Sequence, residues 1–221
     1  MPKQVDHDAR KREISEALLR LVAAGGLESV SLRNVAAEAG ISMGAVQHYF
    51  ATKDEMLQFA LRYITLRREQ RITERLSAAP ERFTVRSLLR TCLVDVLPTD
   101  EQRRAELLAG IAYFIRALRE PRMAEVMAEG TPELIAFFAD QLGAAGQAGE
   151  LTPGVDVRQE AILLWSVAES QATSVVLGER TPDEAVATVD YYLDRLFSPS
   201  GSATSRSPRA PRPSGPPPAR P

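Results

Sequence analysis

The segment "SMGAVQHYFATKDEML", residues 42 to 57, concentrates polar side chains that can bind a nucleic acid. Gln47 can pair with N6 and N7 of adenine, and His48 can donate to a base edge or to a phosphate. Ser42 and Thr52 each precede a helical pattern. At such a helix start, hydroxyl and backbone N–H groups can donate to phosphates.

Neighbouring residues extend this set of candidate contacts. Tyr49 offers a hydroxyl and Lys53 an ammonium group for phosphate, while Gly44 and Ala45 are small enough for the backbone to approach a ligand closely. An ordinary solvated helix would also carry such residues, so composition alone does not decide. The predicted DNA-contacting residues are Ser31, Arg33, Ser42, Met43, Gly44, Ala45, Gln47, His48, Tyr49, Thr52 and Lys53.

The helix that carries these residues is too short to be stable alone, because helix nucleation is costly. The preceding sequence supplies a brace. Ser31 is placed to cap another short helix, and Gly40 marks a tight turn between the two. Val35 and Val46 can form the apolar contact between them. This spacing predicts a helix-turn-helix whose second helix faces a DNA major groove.

The stretch from Ile14 to Leu57 resembles the N-terminal domain of TetR-type transcriptional regulators. The resemblance lies in Gly26-Leu27, "SLRNVAAEAGIS", Gly44, Tyr49-Phe50 and "TKDEML". The sequence departs from the family at Gln47, where an aromatic residue is usual, and this favours a base-reading or solvated role for Gln47. The resemblance implies a DNA-binding domain at 1–52 and a ligand-binding and dimerisation domain at 53–197. The segment "REPRMAEVMAEGTPELIAFF" from Arg119, the glycine loop at 143–154 and the segment at 165–197 resemble the C-terminal domain of the BetI-like branch.

The whole pattern predicts an all-α fold, since no alternating strand is visible. The first helix is expected at about 8–24. The fourth is expected to start with a Thr52–Glu55 capping box and to run to about residue 79. Thr131-Pro132-Glu133 predicts a helix start, because proline favours the first helical position. The other expected segments are helices at 84–97, 101–119, 121–129, 156–178 and 182–197, and a loop at 143–154.

The resemblance implies an effector pocket and a dimer interface in the second domain. An apolar pocket needs aromatic residues and a few polar groups. The candidates are Tyr113, Phe114, Arg116, Phe137, Phe138, Trp165 and Glu169. The last two helices carry more apolar surface than one face needs, which predicts self-association. The candidate interface residues are Ala168, Ala172, Val175, Val176, Val189, Tyr192, Leu193 and Leu196.

Composition constrains the remaining possibilities. The formal net charge of −2 argues against nonspecific coating of nucleic acid, and the single cysteine, Cys92, fits a reducing cytoplasm as a buried structural thiol. No apolar run approaches the roughly 20 residues of a membrane span. Residues 198–221 are rich in proline and arginine, which predicts a disordered tail. The expected partners are double-stranded operator DNA, an unknown small-molecule effector and a second copy of the chain, without a membrane.

Two alternatives remain at this level. An α-helical enzyme would need a metal or nucleophile cluster, but His7 and His48 are the only histidines and neither has a partner at ligand spacing. We therefore predict no metal, no cofactor and no catalytic residue. A helical adaptor could instead use the proline-rich tail as a ligand for small recognition domains. Specific, salt-sensitive DNA binding distinguishes the regulator from both.

Overall fold

The computed structural model describes residues 2–78 and 83–197, and these confirm the predicted all-α fold. The described residues form nine α-helices and one 3₁₀ turn, Leu27–Ser29. The predicted tail, residues 198–221, lies outside the described residues. The helices are α1 Pro2–Gly25, α2 Leu32–Glu38, α3 Met43–Tyr49, α4 Lys53–Ser77, α5 Val85–Val96, α6 Glu101–Ala117, α7 Pro121–Gln147, α8 Val157–Val176 and α9 Pro182–Leu196.

Two apolar cores organise the molecule. The N-terminal core is built around Ile14, Leu18, Val35, Val46 and Phe50 of the first three helices. It is completed by residues of the longer helices: Met56, Leu57, Ala60, Tyr63, Ile64, Ala109, Tyr113 and Met123. Burying a large apolar side chain stabilises a fold by about 1.5–3 kcal/mol, so α4 and α6 contribute strongly to the unit that carries α3.

The C-terminal core joins α5, α7, α8 and α9. Its fully buried side chains include Leu89, Leu93, Leu142, Leu164 and Leu193. Ile72 and Leu76, near the end of α4, pack against it. Because α4 enters both cores, it connects them covalently as one continuous helix.

Helix α7 differs from the prediction. We expected one helix at 121–129, a second beginning after Thr131-Pro132-Glu133 and a loop from residue 143, but a single helix runs from Pro121 to Gln147 with Pro132 inside it. Proline removes one backbone donor, although its fixed φ suits a helix. Packing at both ends holds the helix across this site, since Met123 enters the N-terminal core and Phe138 the C-terminal core.

Helix α7 ends because of Gly149, two residues after its last helical residue, Gln147. Gly149 adopts φ 74°, a conformation that favours glycine, and its N–H donates to the carbonyl of Gly146 at 3.1 Å. The N–H of Glu150 donates to the carbonyl of Ala145 at 2.9 Å. The earlier glycines at 143 and 146 lie within the helix, which explains why the predicted loop begins too early.

Candidate nucleic-acid interface

Serine and threonine caps define the helix-turn-helix. The Ser31 hydroxyl accepts from the N–H of Asn34 at 3.0 Å, and the Ser42 hydroxyl accepts from the N–H of Ala45 at 3.1 Å. Between them, Gly40 has φ 67° and makes the turn. These bonds satisfy N–H groups at both helix starts, so each short helix begins at a fixed residue.

The start of α4 departs slightly from the predicted capping box. Thr52 accepts from the N–H of Glu55 at 3.1 Å, as expected. The Glu55 carboxylate, however, accepts from the N–H of Ala51 at 2.9 Å rather than from Thr52. The reciprocal bond is therefore displaced by one residue, and it fixes the link between α3 and α4.

Helix α3 is held by its inner face and open on its outer face. Val46 is fully buried against the N-terminal core, and Phe50, just after the helix, is buried beside it. Among the predicted DNA-contacting residues, Ser42, Met43, Gly44, Gln47 and His48 are exposed, and Ala45 and Tyr49 are partly exposed. Arg33 and Thr52 are exposed and Ser31 partly exposed, close in sequence to the same helix pair.

An aromatic cluster joins this outer face to α1. The His7 ring lies 4.5 Å from the Tyr49 ring and 6.1 Å from the His48 ring, centroid to centroid. Tyr49 and His48 pack edge-on at 5.1 Å. His7 lies 41 positions before His48, so no local sequence pattern assigns it to the site. The position of His7 near the start of an amphipathic helix was its only signal.

Lys53 occupies a more constrained position than a free phosphate-binding residue. Its ammonium group donates to the carbonyl of Leu27 at 2.9 Å, within the 3₁₀ turn that follows α1. Lys53 also lines an open cavity of about 700 Å³ together with Asp54, Arg116 and Arg119. A contact between Lys53 and phosphate stays a prediction, and it would have to share or replace the bond to Leu27.

The predicted effector-pocket residues do not converge. Tyr113 is fully buried in the N-terminal core, and Phe138 is buried in the C-terminal core. Phe114 and Phe137 keep much of their surface exposed. Arg116 forms salt bridges with Asp54 and Glu120, each at 2.8 Å, at the surface.

Trp165 and Glu169 lie one turn apart on α8. Desolvation raises the pKa of the Glu169 carboxyl, while the indole N–H of Trp165 opposes this shift. The indole nitrogen is nevertheless buried without an acceptor in hydrogen-bond geometry among the described residues. Glu169 keeps an exposed edge, so the pair lies at the margin of the C-terminal core rather than around a cavity.

The predicted dimer residues mostly face inward. Ala168, Ala172 and Leu193 have no exposed surface, and Val189 and Leu196 are almost as completely buried. These five side chains form the protomer's own core and are not available to a second chain. Only Val175, Val176 and Tyr192 keep part of their surface exposed, and the Tyr192 hydroxyl donates to Glu160 at 2.5 Å.

A buried charge network lies between the two cores, and the sequence analysis did not predict it. Asp95 on α5 and Glu106 on α6 are both buried, and Arg71 on α4 donates to both with bonds of 2.8–3.1 Å. Arg103 also donates to Asp95, at 3.3 Å, and forms a close ion pair with Asp100. The network connects α4, α5 and α6 at the boundary between the two cores.

The described residues also bear on metal binding and on membrane insertion. Within 2–78 and 83–197, no three metal-binding side chains lie together in a group able to hold an ion. Over the same ranges, no helix has the length and apolar composition of a membrane span. A helix-turn-helix whose second helix presents polar side chains outward defines a DNA-binding protein.

The family follows from comparison with known proteins. Residues 14–59 match the bacterial regulatory proteins of the tetR family, and residues 85–198 match the BetI-type transcriptional repressor C-terminal domain. The chain belongs to the TetR family of transcriptional regulators, with a BetI-type C-terminal domain. This family consists of DNA-binding regulators rather than enzymes.

Individual relatives agree with this assignment. The chain is 35% identical over 135 residues to the HTH-type transcriptional regulator PksA of Bacillus subtilis strain 168. The matched residues cover 59% of this chain and 62% of that protein. The match therefore spans less than two thirds of that relative. The HTH-type transcriptional regulator BetI of Burkholderia mallei is 26% identical over 204 residues, covering 90% of this chain and 99% of that protein.

Solved structures show the same fold. A transcriptional regulator from Rhodococcus sp. Rha1 has a TM-score of 0.68 and 29% identity, covering 83% of this chain and 93% of that one. A regulator from Saccharomonospora viridis, solved in complex with choline, has a TM-score of 0.73 and 19% identity. It covers 87% of this chain and 100% of that one, and at this identity the likeness shows the fold alone.

Proposed function

We propose that the chain is a homodimeric repressor that binds a palindromic operator in the cytoplasm and releases it when a small-molecule effector binds. The observation that carries this proposal is the outer face of α3. Gln47 and His48 are exposed side by side on a helix whose inner residue, Val46, is fully buried. Such a helix can enter a major groove without losing its support.

The polar groups on α3 suit direct reading of bases. Gln47 can make two hydrogen bonds to adenine, and such a bidentate contact contributes about 1–3 kcal/mol of discrimination. Met43 and Gly44 leave an apolar, low-relief surface at the start of the helix, where a thymine methyl group can pack. The hydroxyls of Ser42 and Thr52 accept from their own helices, and each keeps its hydrogen for a phosphate.

A dimer surface on α8 and α9 supports two-fold binding. We define it by the exposed residues Ile162, Leu163, Ser166, Ser170, Thr173 and Leu177 of α8 and Tyr191 of α9. The α8 residues recur at helical spacing, with apolar groups at the ends and small hydroxyl residues between them.

The small residues make this surface easy to dehydrate. Ser166 donates to the carbonyl of Ile162 at 2.9 Å, and Thr173 donates to the carbonyl of Glu169 at 3.0 Å. Because both hydroxyl hydrogens are already used, a partner can cover them without leaving an unsatisfied donor. Small side chains also allow two helices to approach closely. A two-fold axis here would pair this surface with itself.

Response to a small molecule is supported by the BetI-type domain and by the choline-bound regulator of similar fold. An effector lowers operator affinity when it binds better to a conformation in which the two recognition helices are wrongly spaced. The helices must sit roughly 34–36 Å apart to meet successive major grooves. α4 enters both cores, so a shift in the C-terminal core is transmitted to α3.

The test is a titration of fluorescent DNA from upstream of the gene with the full chain. We expect the chain to bind an inverted repeat with two protomers per site, and we expect its affinity to fall steeply as the salt concentration rises. Gln47→Ala with His48→Ala should abolish the preference for this DNA over a shuffled fragment. The matched control is Gln159→Ala, on the first turn of α8 away from α3. Equal affinity for specific and shuffled DNA in the wild-type protein would refute the proposal.

A further inference from the structure

Two arginines of the buried network, Arg75 and Arg68 of α4, reach Asp95 only as ion pairs without a hydrogen bond, and Arg68 is the more enclosed of the two. Its Nε lies 3.8 Å from the carboxylate of Asp95, beyond hydrogen-bond distance, and is buried from solvent without an acceptor. The two oxygens of Asp95 already accept from Arg71 and Arg103. Asp95 therefore has little remaining capacity for Arg68.

The charges around Arg68 do not balance. Four guanidiniums, those of Arg68, Arg71, Arg75 and Arg103, lie within 4 Å of the carboxylates of Asp95, Glu106 or Asp100. The network carries one more positive charge than negative charges. Burial lowers the pKa of Arg68, and Asp95 and Glu106 oppose this shift. Burying part of a cation without a hydrogen-bonded partner is costly, as at Nε of Arg68. An anion beside Arg68 would complement the excess positive charge of the network.

Arg68 is enclosed at one end and reachable at the other. Nε is covered completely, yet 32% of the side-chain surface as a whole remains exposed. Asp95 and Cys92 lie on the neighbouring helix α5, and Cys92 packs in the C-terminal core. A ligand at Arg68 would therefore place its charged group on the network, where α4 meets Asp95 of α5.

We infer that the effector is a small organic acid whose carboxylate pairs with Arg68. The inference rests on the proposed effector response and specifies its chemistry. A guanidinium with free N–H groups matches a carboxylate in a bidentate arrangement. A cation such as choline would add positive charge to a network that already has an excess, so this site excludes it.

The location explains how such an acid would act. Arg68 and Arg71 lie on α4 between Ile64, which enters the N-terminal core, and Ile72, which packs on the C-terminal core. An anion on Arg68 draws α4 toward the ligand and competes with Asp95 of α5. The relation between α4 and α5 then changes at the junction of the two cores.

The experiment measures the melting temperature of the full chain with sodium hexanoate, sodium benzoate and choline chloride, each matched to sodium chloride at equal ionic strength. We expect at least one carboxylate to raise the melting temperature by about 5 °C or more at roughly 100 times its Kd. Arg68→Met should remove this shift. Arg62→Met, at an exposed arginine on the same helix, should keep it.

The unliganded variants provide a second measurement. Arg68→Met should melt no lower than the wild-type protein, because it removes a buried Nε that has no acceptor and one charge from a network with an excess of positive charge. A markedly lower melting temperature would show that Arg68 serves the network structurally and would overturn the inference. The inference also fails if no carboxylate shifts the wild-type protein, if Arg68→Met responds equally, or if choline alone stabilises.

An operator titration separates this inference from the proposed function. If a carboxylate stabilises through Arg68 but leaves operator affinity unchanged, the site stands and effector-driven release fails. If the chain binds and releases its operator with another class of compound, the proposed function stands and the carboxylate site fails.

Discussion

The phenol of Tyr113 on α6 donates a hydrogen bond of 2.7 Å to the backbone carbonyl of Leu57 on α4. Both residues are fully buried in the N-terminal core. Desolvation raises the pKa of Tyr113, so the phenol stays protonated and keeps donating at any ordinary pH. This bond links α6 to the first turns of α4, the helix that directly follows α3 in the chain.

Tyr113→Phe tests that link. It should lower the free energy of unfolding by about 1 kcal/mol, because it deletes one buried hydrogen bond while keeping the ring. Urea unfolding followed by circular dichroism measures the change. Tyr49→Phe, at a partly exposed tyrosine outside the dimer surface, keeps its ring and should leave stability unchanged. Equal stability of wild type and Tyr113→Phe would show that the bond contributes nothing.

Gln47→Ala should relax base preference at one position in each half-site. The expected cost at the preferred base is about 1–3 kcal/mol, the value of a bidentate contact. Binding to a library of operators with single substitutions measures it. If the affinity and the preference profile are both unchanged, Gln47 is only solvated surface.

Lys53→Ala should weaken binding to all DNA sequences about equally and reduce the salt slope by roughly one unit. It should also lower the melting temperature, because the bond from Lys53 to the Leu27 carbonyl disappears. Arg62→Ala, on the same helix, is the control. A variant that loses stability but keeps the full salt slope would assign Lys53 to the turn and not to phosphate.

Leu163→Arg should convert the proposed dimer to monomers and abolish operator binding. Leu163 is 46% exposed on the dimer surface, so arginine there leaves the protomer intact but places two symmetry-related charges in an apolar contact. Leu66→Arg, at a leucine 61% exposed on α4, is the matched control and should stay dimeric. Sedimentation at micromolar concentration distinguishes the two. A dimeric Leu163→Arg protein would place the interface elsewhere.

Asp95 should make stability depend on acidic pH. Burial disfavours its charge, but the hydrogen bond from Arg71 and the charges of Arg71, Arg103 and Arg68 outweigh this and lower the pKa of Asp95. A lowered folded-state pKa stabilises above the unfolded value of about 3.9, and this stability is lost as pH falls through the folded value. Urea unfolding below about pH 4 should show it. Asp95→Asn should flatten the dependence, whereas exposed Asp183→Asn should not.

Local chemistry predicted much of the fold. Ser31, Ser42 and Thr52 cap the helices expected of them, since these bonds involve residues only three positions apart. Pro132 was misleading, because a Thr-Pro pair followed by an acidic residue starts α9 but lies inside α7. Contacts at the two distant ends of α7 decide between these outcomes, and no local pattern contains them.

Site residues were harder to predict where two roles share one composition. Small residues such as Ala168 and Ala172 suit a close helix contact within a protomer as well as between protomers, and here they pack inside. The buried network was missed because Arg71, Asp95 and Glu106 are far apart in sequence and individually resemble surface charges. His7 was missed for the same reason, since it meets Tyr49 only in the folded chain.

The shared N-terminal core also restricts how this protein can be recombined. A chimera that transferred only residues 1–52 to another regulator would leave behind Met56, Leu57 and Tyr63 of α4, on which those residues pack. The graft would expose apolar surface unless it carried α4 through Ile64 and met a residue in the recipient that replaces Tyr113 of α6. Exchange of operator specificity, in evolution or by engineering, is therefore easier through point changes on the open face of α3 than through exchange of whole segments.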